Sequence, residues 1–527
     1  MFRVKDDQDL QLHEKILTMK QINYIIITIV MLSFYPSCDE STIDLAPIGE
    51  TEATYFMNEK QMTEAVLGIY QKLSFFYTFR ANAPLCGITL LPDDDLTTPG
   101  DASYERFISL TPDDARLGDY FKFAYQLINR ANTVLSKIEE NGDLAYTASP
   151  ELKGYHRGEA LFLRAWMNYK LYVVYGSAAP LVTERITLLE DAYPPSSTGT
   201  QLLDQAIADL QEASSLLPAA WDAANLGRVT KNSAFGLMVK ILVIRGVINQ
   251  QSADFTGALT AFNSISGLSL MPGFGDNFAA AKENNAESLF EYQANEQSAG
   301  TNPFLDNDGF DVIGDLTHWL GWTTQSPDWV GTNYFKATVS LINAYEPGDP
   351  RIGHTFNPAG TTTNVLKYTK DGLYDSGWAG SSYNCNVNNP RLLRYADVLL
   401  LKAEALVRSG GSKSEAIGLV NQIRERARKS TTDGSVSEVP ADRNVNETNT
   451  ATILNWIFQE RRLELAFEEG ARWVDLKRRH LAGEINLTSW DFSSIRSDFA
   501  FKTDNLVFPL PQSEVSVNKN LTQNTGY

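Results

Sequence analysis

The best acidic cluster in the 527-residue chain is the run Asp93-Asp94-Asp95. Adjacent carboxylates can hold a hard cation, exchange protons, or accept hydrogen bonds from sugar hydroxyls. The plainer alternative is a solvated loop. Glycoside hydrolysis requires two carboxylates flanking a cleft, and with 64 Asp and Glu in the chain their presence decides nothing. Asp306-Asn307-Asp308-Gly309 with Asp311 has the residue types of a calcium loop, but its glycine comes too early for an EF-hand. We therefore expect no metal. The histidines (His13, His156, His318, His354, His480) are far apart. No G-x-S-x-G, H-E-x-x-H or G-x-x-x-x-G-K-[ST] occurs. No catalytic residue or cofactor is assigned, and the chain is expected not to be an enzyme.

A second chemistry needs no reaction. A flat aromatic side chain can cover the apolar face of a sugar ring while the ring's polar edge keeps its hydrogen bonds, at little entropic cost. Phe76, Tyr77 and Phe79 lie close together, and Trp319, Trp322 and Trp329 form a second group. Each single tryptophan could equally be core packing. Asp93, Asp95, Arg80 and Asn82 are placed at the rim, with Tyr104 closing the first loop. The net charge of −19 argues against nucleic acid, whose phosphates demand Lys and Arg. Lys477-Arg478-Arg479-His480 is read as a solvated helix end.

The elements that must position these groups are mostly helical. Residues 1–37 contain a secretory signal, with Lys20 ahead of an apolar run from Tyr24 to Phe34 and Ser37-Cys38 after it; residues 1–18 read as an upstream mis-start before Met19. Cys38 is the expected lipidation site, and 38–58 the anchor and tether. The three cysteines are too few for a disulfide scaffold; Cys86 and Cys385 either pair or remain separate buried thiols. Apolar periodicity predicts helices over 59–74, 119–140, 151–175, 201–217, 230–250 and 255–265, then 391–409, 414–429, 452–468 and 471–481. These pair as 201–217 with 230–250, 391–409 with 414–429, and 452–468 with 471–481, like tetratricopeptide hairpins. Between them, 271–390 loses the helical period and is expected to be an irregular, loop-rich α/β lobe facing the ligand. Residues 430–450 are expected to loop out, mobile, and the tail from Asp504 to be extended. Arg164, Arg394 and Arg472 sit three to five residues from Glu159, Asp397 and Glu468, and are read as ion-pair partners on the same helix.

Several of these segments resemble one known family. Gly158-Glu159-Ala160-Leu161-Phe162-Leu163-Arg164-Ala165-Trp166 looks like the first signature helix of SusD/RagB proteins, with Tyr175-Gly176 and Pro180-Leu181-Val182 as the turn after it. Gly227-Arg228-Val229-Thr230-Lys231, Asp349-Pro350-Arg351 and Leu393-Arg394-Tyr395-Ala396-Asp397 resemble further markers. So do Glu460-Arg461-Arg462 through Asp475-Leu476-Lys477-Arg478, and Pro509-Leu510-Pro511 to Tyr527. The resemblance implies a mainly α scaffold with an N-terminal region over 59–270 and a C-terminal region over 391–527. It implies capture of a glycan or other nutrient at the outer membrane through a lipid anchor. It also implies a SusC-like TonB-dependent barrel as partner, which the protein would cover as a lid. Peptide capture by the same means and surface glycoside hydrolysis remain as alternatives.

Overall fold

The computed structural model describes residues 54–77, 79–80, 83–98, 102–294, 335–357, 365–367, 388–492 and 501–527, together with positions 52 and 363. Ten helices carry the architecture: α1 Glu59–Gln71, α2 Ala115–Ala145, α3 Pro150–Tyr175, α4 Gln201–Leu216 and α5 Lys231–Asn249, then α6 Ser252–Asn263, α7 Tyr395–Arg408, α8 Lys413–Arg428, α9 Thr450–Glu464 and α10 Ala471–Leu481. Their starts follow local chemistry. The Asp114 carboxylate accepts from the Arg116 and Leu117 N–H groups at the head of α2, and Thr230 with Ser233 forms a reciprocal cap on α5. Pro150 opens α3, where a missing N–H costs nothing.

The fold is mainly α, as expected. Of the three expected hairpins two form as pairs, and the third is looser. Each of α2 to α6 packs against its successor, so the expected pair α4–α5 forms within a continuous series, and α7–α8 pair as expected. At Gly158 the helices approach so closely that a Cβ would stand 2.8 Å from Leu217 Cγ. α9 packs against α7 and α8 as well as against its successor α10. Among the described residues, α5 alone is long and apolar enough to cross a bilayer. It is instead a buried core helix, enclosed by α4, α6, α7 and α10.

Three small antiparallel pairings stitch the rest. β1 (Phe79–Arg80) pairs with β2 (Ala83–Pro84). β3 (Leu96–Thr97) pairs with β5 (Lys336–Ala337), and β4 (Ser288–Glu291) with β6 (Arg391–Arg394). The predicted helix over 391–409 therefore begins at Tyr395, because the four residues before it are taken into the ladder with β4. Within 271–390, the described residues are short strands, turns and small helices.

Two loop expectations fail. Residues 430–449 are tied down by side chains of α8. Arg424 Nε donates to the Ala441 carbonyl at 2.6 Å, Arg428 Nη1 to that of Pro440 at 2.7 Å, and Asn421 exchanges two bonds with Arg443. The segment lacks apolar residues because carbonyl and guanidinium groups, not a core, hold it. The tail folds into a 3-10 turn, Thr503–Leu506, and a short helix, Gln512–Val517.

Candidate ligand surface and the ion pairs behind it

Asp93, Asp94 and Asp95 do not face solvent; each is at most 3% exposed. Asp93 Oδ1 turns back to accept from the N–H groups of Asp95 (2.8 Å) and Leu96 (3.1 Å). Burial and the two neighbouring carboxylates hold its carboxyl well above the usual range. Asp94 takes a two-pronged bond from Arg472 at 2.7 and 2.9 Å and one from Trp490 Nε1 at 3.1 Å. Burial alone would raise its pKa, but Arg472 and Arg462 override it and hold Asp94 below the ordinary range. Asp95 accepts from Arg462 Nε at 2.6 Å. The rim role expected of Asp93 and Asp95 is thus replaced by an internal one: Asp93 closes its own turn, while Asp95 on Arg462 and Asp94 on Arg472 fasten the loop ahead of β3 to α9 and α10.

Phe76 and Tyr104 are likewise internal. Phe76 meets Tyr120 edge-on at 5.0 Å. Tyr104 is fully buried, donates to Asp114 Oδ1 at 3.0 Å, and has the Arg116 guanidinium 4.3 Å above its ring. They are core because α2 runs beneath both, and sequence spacing in an irregular stretch carries no sign of that. Tyr77 ends the 3-10 turn Lys72–Tyr77 and Phe79 lies in β1, but their side chains lie outside the described residues. Cys38, Trp319, Trp322 and Trp329 also fall outside them. Cys86 is a free, buried thiol.

Behind this surface stands a lattice of buried ions. Arg394 reaches Glu287 (2.6 Å), Glu464 (2.9 Å) and Glu468 (2.6 Å). Arg426 joins Glu287 at 3.1 Å and also contacts Glu464. Arg351 binds Asp349 and Glu460, and Lys367 donates to Glu468 at 2.7 Å. Arg164 grips Asp209 from α3 to α4, and Glu159 is held by Arg228 and the Tyr70 hydroxyl. Asp397 lies between Lys240 and Arg461. The same-helix pairs expected from spacing are therefore replaced by pairs between elements. The expected solvated cluster after Trp473 is partly absorbed too: Arg478 forks onto Glu404 and also bonds Asp475.

The lattice fixes two roots. Thr338, just after β5, donates from its N–H to the Asp95 carbonyl at 2.9 Å and from its hydroxyl to the Asp94 carbonyl at 2.6 Å. β5 itself pairs with β3. β5, which follows the tryptophan-bearing stretch 295–334 in sequence, is therefore held against β3 and the Asp94-Asp95 turn. The residue before that stretch is also fixed: the Ala294 N–H donates to Asn389 Oδ1 at 2.7 Å, and Asn389 Nδ2 to Glu291 Oε2 at 3.0 Å. Sequence reasoning missed Arg462, Thr338 and Asn389, which do this fastening. The Glu460-Arg461-Arg462 run was the available signal for Arg462; Thr338 and Asn389 left none. Among the described residues no group of three or more His, Cys, Asp or Glu side chains could hold a metal ion. The carboxylates of the lattice are engaged by cations, an arrangement that positions a surface rather than offering a proton donor and a nucleophile.

Comparison with known proteins returns one answer. Residues 322–527 match the profile of the SusD family, and residues 101–243 match a profile described as starch-binding and associating with the outer membrane. SusD-like proteins P38 and P2 of Formosa agariphila are 26% and 27% identical, each alignment covering 96% of this chain and 99% of the relative. Among solved structures, surface glycan-binding protein A from Bacteroides thetaiotaomicron, in complex with laminarihexaose, superposes with a TM-score of 0.69 at 20% identity. That match covers 89% of this chain and 99% of the other.

Proposed function

This chain belongs to the SusD/RagB family, and on that premise we propose that it captures an oligosaccharide at the cell surface and passes it to a TonB-dependent barrel of the SusC type. The observation that supports this most is the fastening of the body on either side of 295–334, at Ala294 through Asn389 and at β5 through β3 and Thr338, with buried ion pairs behind. A preorganised platform binds a flexible glycan without ordering itself first. The glycan-binding relative with laminarihexaose makes a β-glucan the first ligand to try. In this reading Cys38 carries the lipid, 39–58 is a tether, and the chain acts as a lid over the barrel. Trp319, Trp322 and Trp329, with Tyr77 and Phe79, supply the stacking faces. Bond cleavage falls to other proteins, and no cofactor is used.

Calorimetric titration with laminarihexaose, maltohexaose and a short peptide tests the ligand class. A glycan is expected to bind without release of shorter products. Trp322→Ala should weaken it by about tenfold, as for truncation of a central aromatic contact, with an unchanged melting temperature. Peptide binding alone, or glycan turnover, would overturn the reading. Equal loss of fold and binding would remove Trp322 from the site. Co-purification of a barrel protein from detergent-solubilised outer membrane tests the lid.

A further inference from the structure

A pocket of about 230 Å³ opens between α3, α5, α10 and the C-terminal tail, with none of the aromatic candidates in its lining. Its walls are apolar: Val173, Ile244, Ile248, Val474, Leu506 and Val507. One lysine, Lys477, is among its lining residues. Lys477 Nζ donates to the Val173 carbonyl at 2.6 Å and stands 5.6 Å from the Trp473 ring centroid. Among the described residues no carboxylate lies within ion-pairing distance of it. In a chain where Arg394, Arg426, Arg461 and Arg478 are each matched by buried carboxylates, an amine left with a single carbonyl partner in an apolar pocket is out of pattern. Burial pushes its pKa down to about 7.

Two more polar groups line the same space. The Tyr172 hydroxyl and Ser177 Oγ make no hydrogen bond to protein among the described residues. One ammonium with two N–H donors to spare and two hydroxyls form a donor set suited to a single carboxylate. The apolar walls demand that the rest of the ligand be apolar. The volume lies below the roughly 300–1,000 Å³ of sites for drug-sized molecules, which limits the ligand to a small acid.

We propose that this pocket binds a small monocarboxylate with an aromatic or branched apolar body, its carboxylate on Lys477 Nζ, Tyr172 Oη and Ser177 Oγ. The site is independent of glycan capture and carries no step of it. The other charged or titratable groups facing Lys477 are few. The Tyr172 phenol is held up to about 12 by burial and by the Asp204 carboxylate, which is itself paired with Arg245, and the Arg478 guanidinium is already spent on Glu404 and Asp475. A pH dependence of carboxylate binding between pH 6 and 9 would therefore belong to Lys477.

Calorimetry on the full chain, with benzoate, its neutral isostere benzamide, and the polar acid glucuronate, decides it. Benzoate should bind at pH 6 at least about tenfold more tightly than either of the others. Its affinity should fall by about tenfold or more on going to pH 9, as the amine loses its proton. Lys477→Met should abolish the preference for benzoate over benzamide, and Tyr172→Phe should weaken benzoate severalfold. Absence of benzoate binding at pH 6, equal affinity for benzamide or glucuronate, or a flat pH series overturns the proposal. If Lys477→Met does not fold, the three-ligand comparison and the pH series on the unaltered chain decide alone. Laminarihexaose affinity should not change with benzoate present, so failure here leaves the glycan reading standing.

Discussion

Arg394 directs its nitrogens at Glu287, Glu464 and Glu468 while only 1% of its surface meets solvent. Burial disfavours its charge, and the three carboxylates more than restore it. Such a pair is no bonus over an apolar core, yet breaking it leaves carboxylates buried without compensation. Arg394→Ala should therefore cost about 3–5 kcal/mol, measured by urea unfolding. Arg394→Lys should also destabilise, because an ammonium cannot reproduce the planar fork. Wild-type stability in either variant would contradict the hub role. The residues of this lattice stand in plain sight in the sequence, but their partners do not. Rules for spacing speak only of neighbours on one helix, whereas Arg394 finds Glu468 74 residues on and Arg472 finds Asp94 across 378. The same blindness put Asp93, Asp95, Phe76 and Tyr104 on the surface, since an irregular stretch has no period to reveal its buried face.

At the level of elements, Gly470 joins α9 to α10 with φ +71°, and a Cβ there would stand 2.4 Å from the Thr89 carbonyl oxygen. Gly410, which joins α7 to α8, has φ +76° but nothing within 4 Å of the same position. Gly410→Ala should cost about 1 kcal/mol from backbone strain alone. Gly470→Ala should cost clearly more, because Thr89 is held in the short helical turn Gly87–Leu90 ahead of β3. Paired melting curves of the two variants check this; equal shifts would mean that Thr89 yields freely. Helix existence was legible because the apolar stripes are long: α10 was expected at 471–481 and is found as Ala471–Leu481. The errors arose where the tertiary structure chooses between two local options. β6 is drawn out of the helix it precedes by pairing with β4, and 430–449 is held by arginines whose reach no local pattern encodes.

For the molecule as a whole, Asp94, Asp397, Glu404 and Glu464 share one electrostatic character. Burial raises each, and neighbouring cations more than reverse that, so all four fall below the ordinary carboxylate range. In the unfolded chain they titrate near 4, at about 3.9 for Asp and 4.3 for Glu. A depressed folded pKa gives stability that is present above the unfolded value and lost as the pH falls towards the folded one. The melting temperature should hold from pH 7 to about 5 and drop steeply below about 4. Scanning calorimetry from pH 7 to 3 checks this, and a level trace would mean the lattice is not ionic. One further consequence comes from the tail. The Phe508 N–H donates to the Val174 carbonyl, and Asn524 Nδ2 caps Tyr175, 349 residues earlier. During synthesis the end of α3 precedes its cover by more than three hundred residues. The last carbonyls of α3 thus find their partners only in the final residues of the sequence.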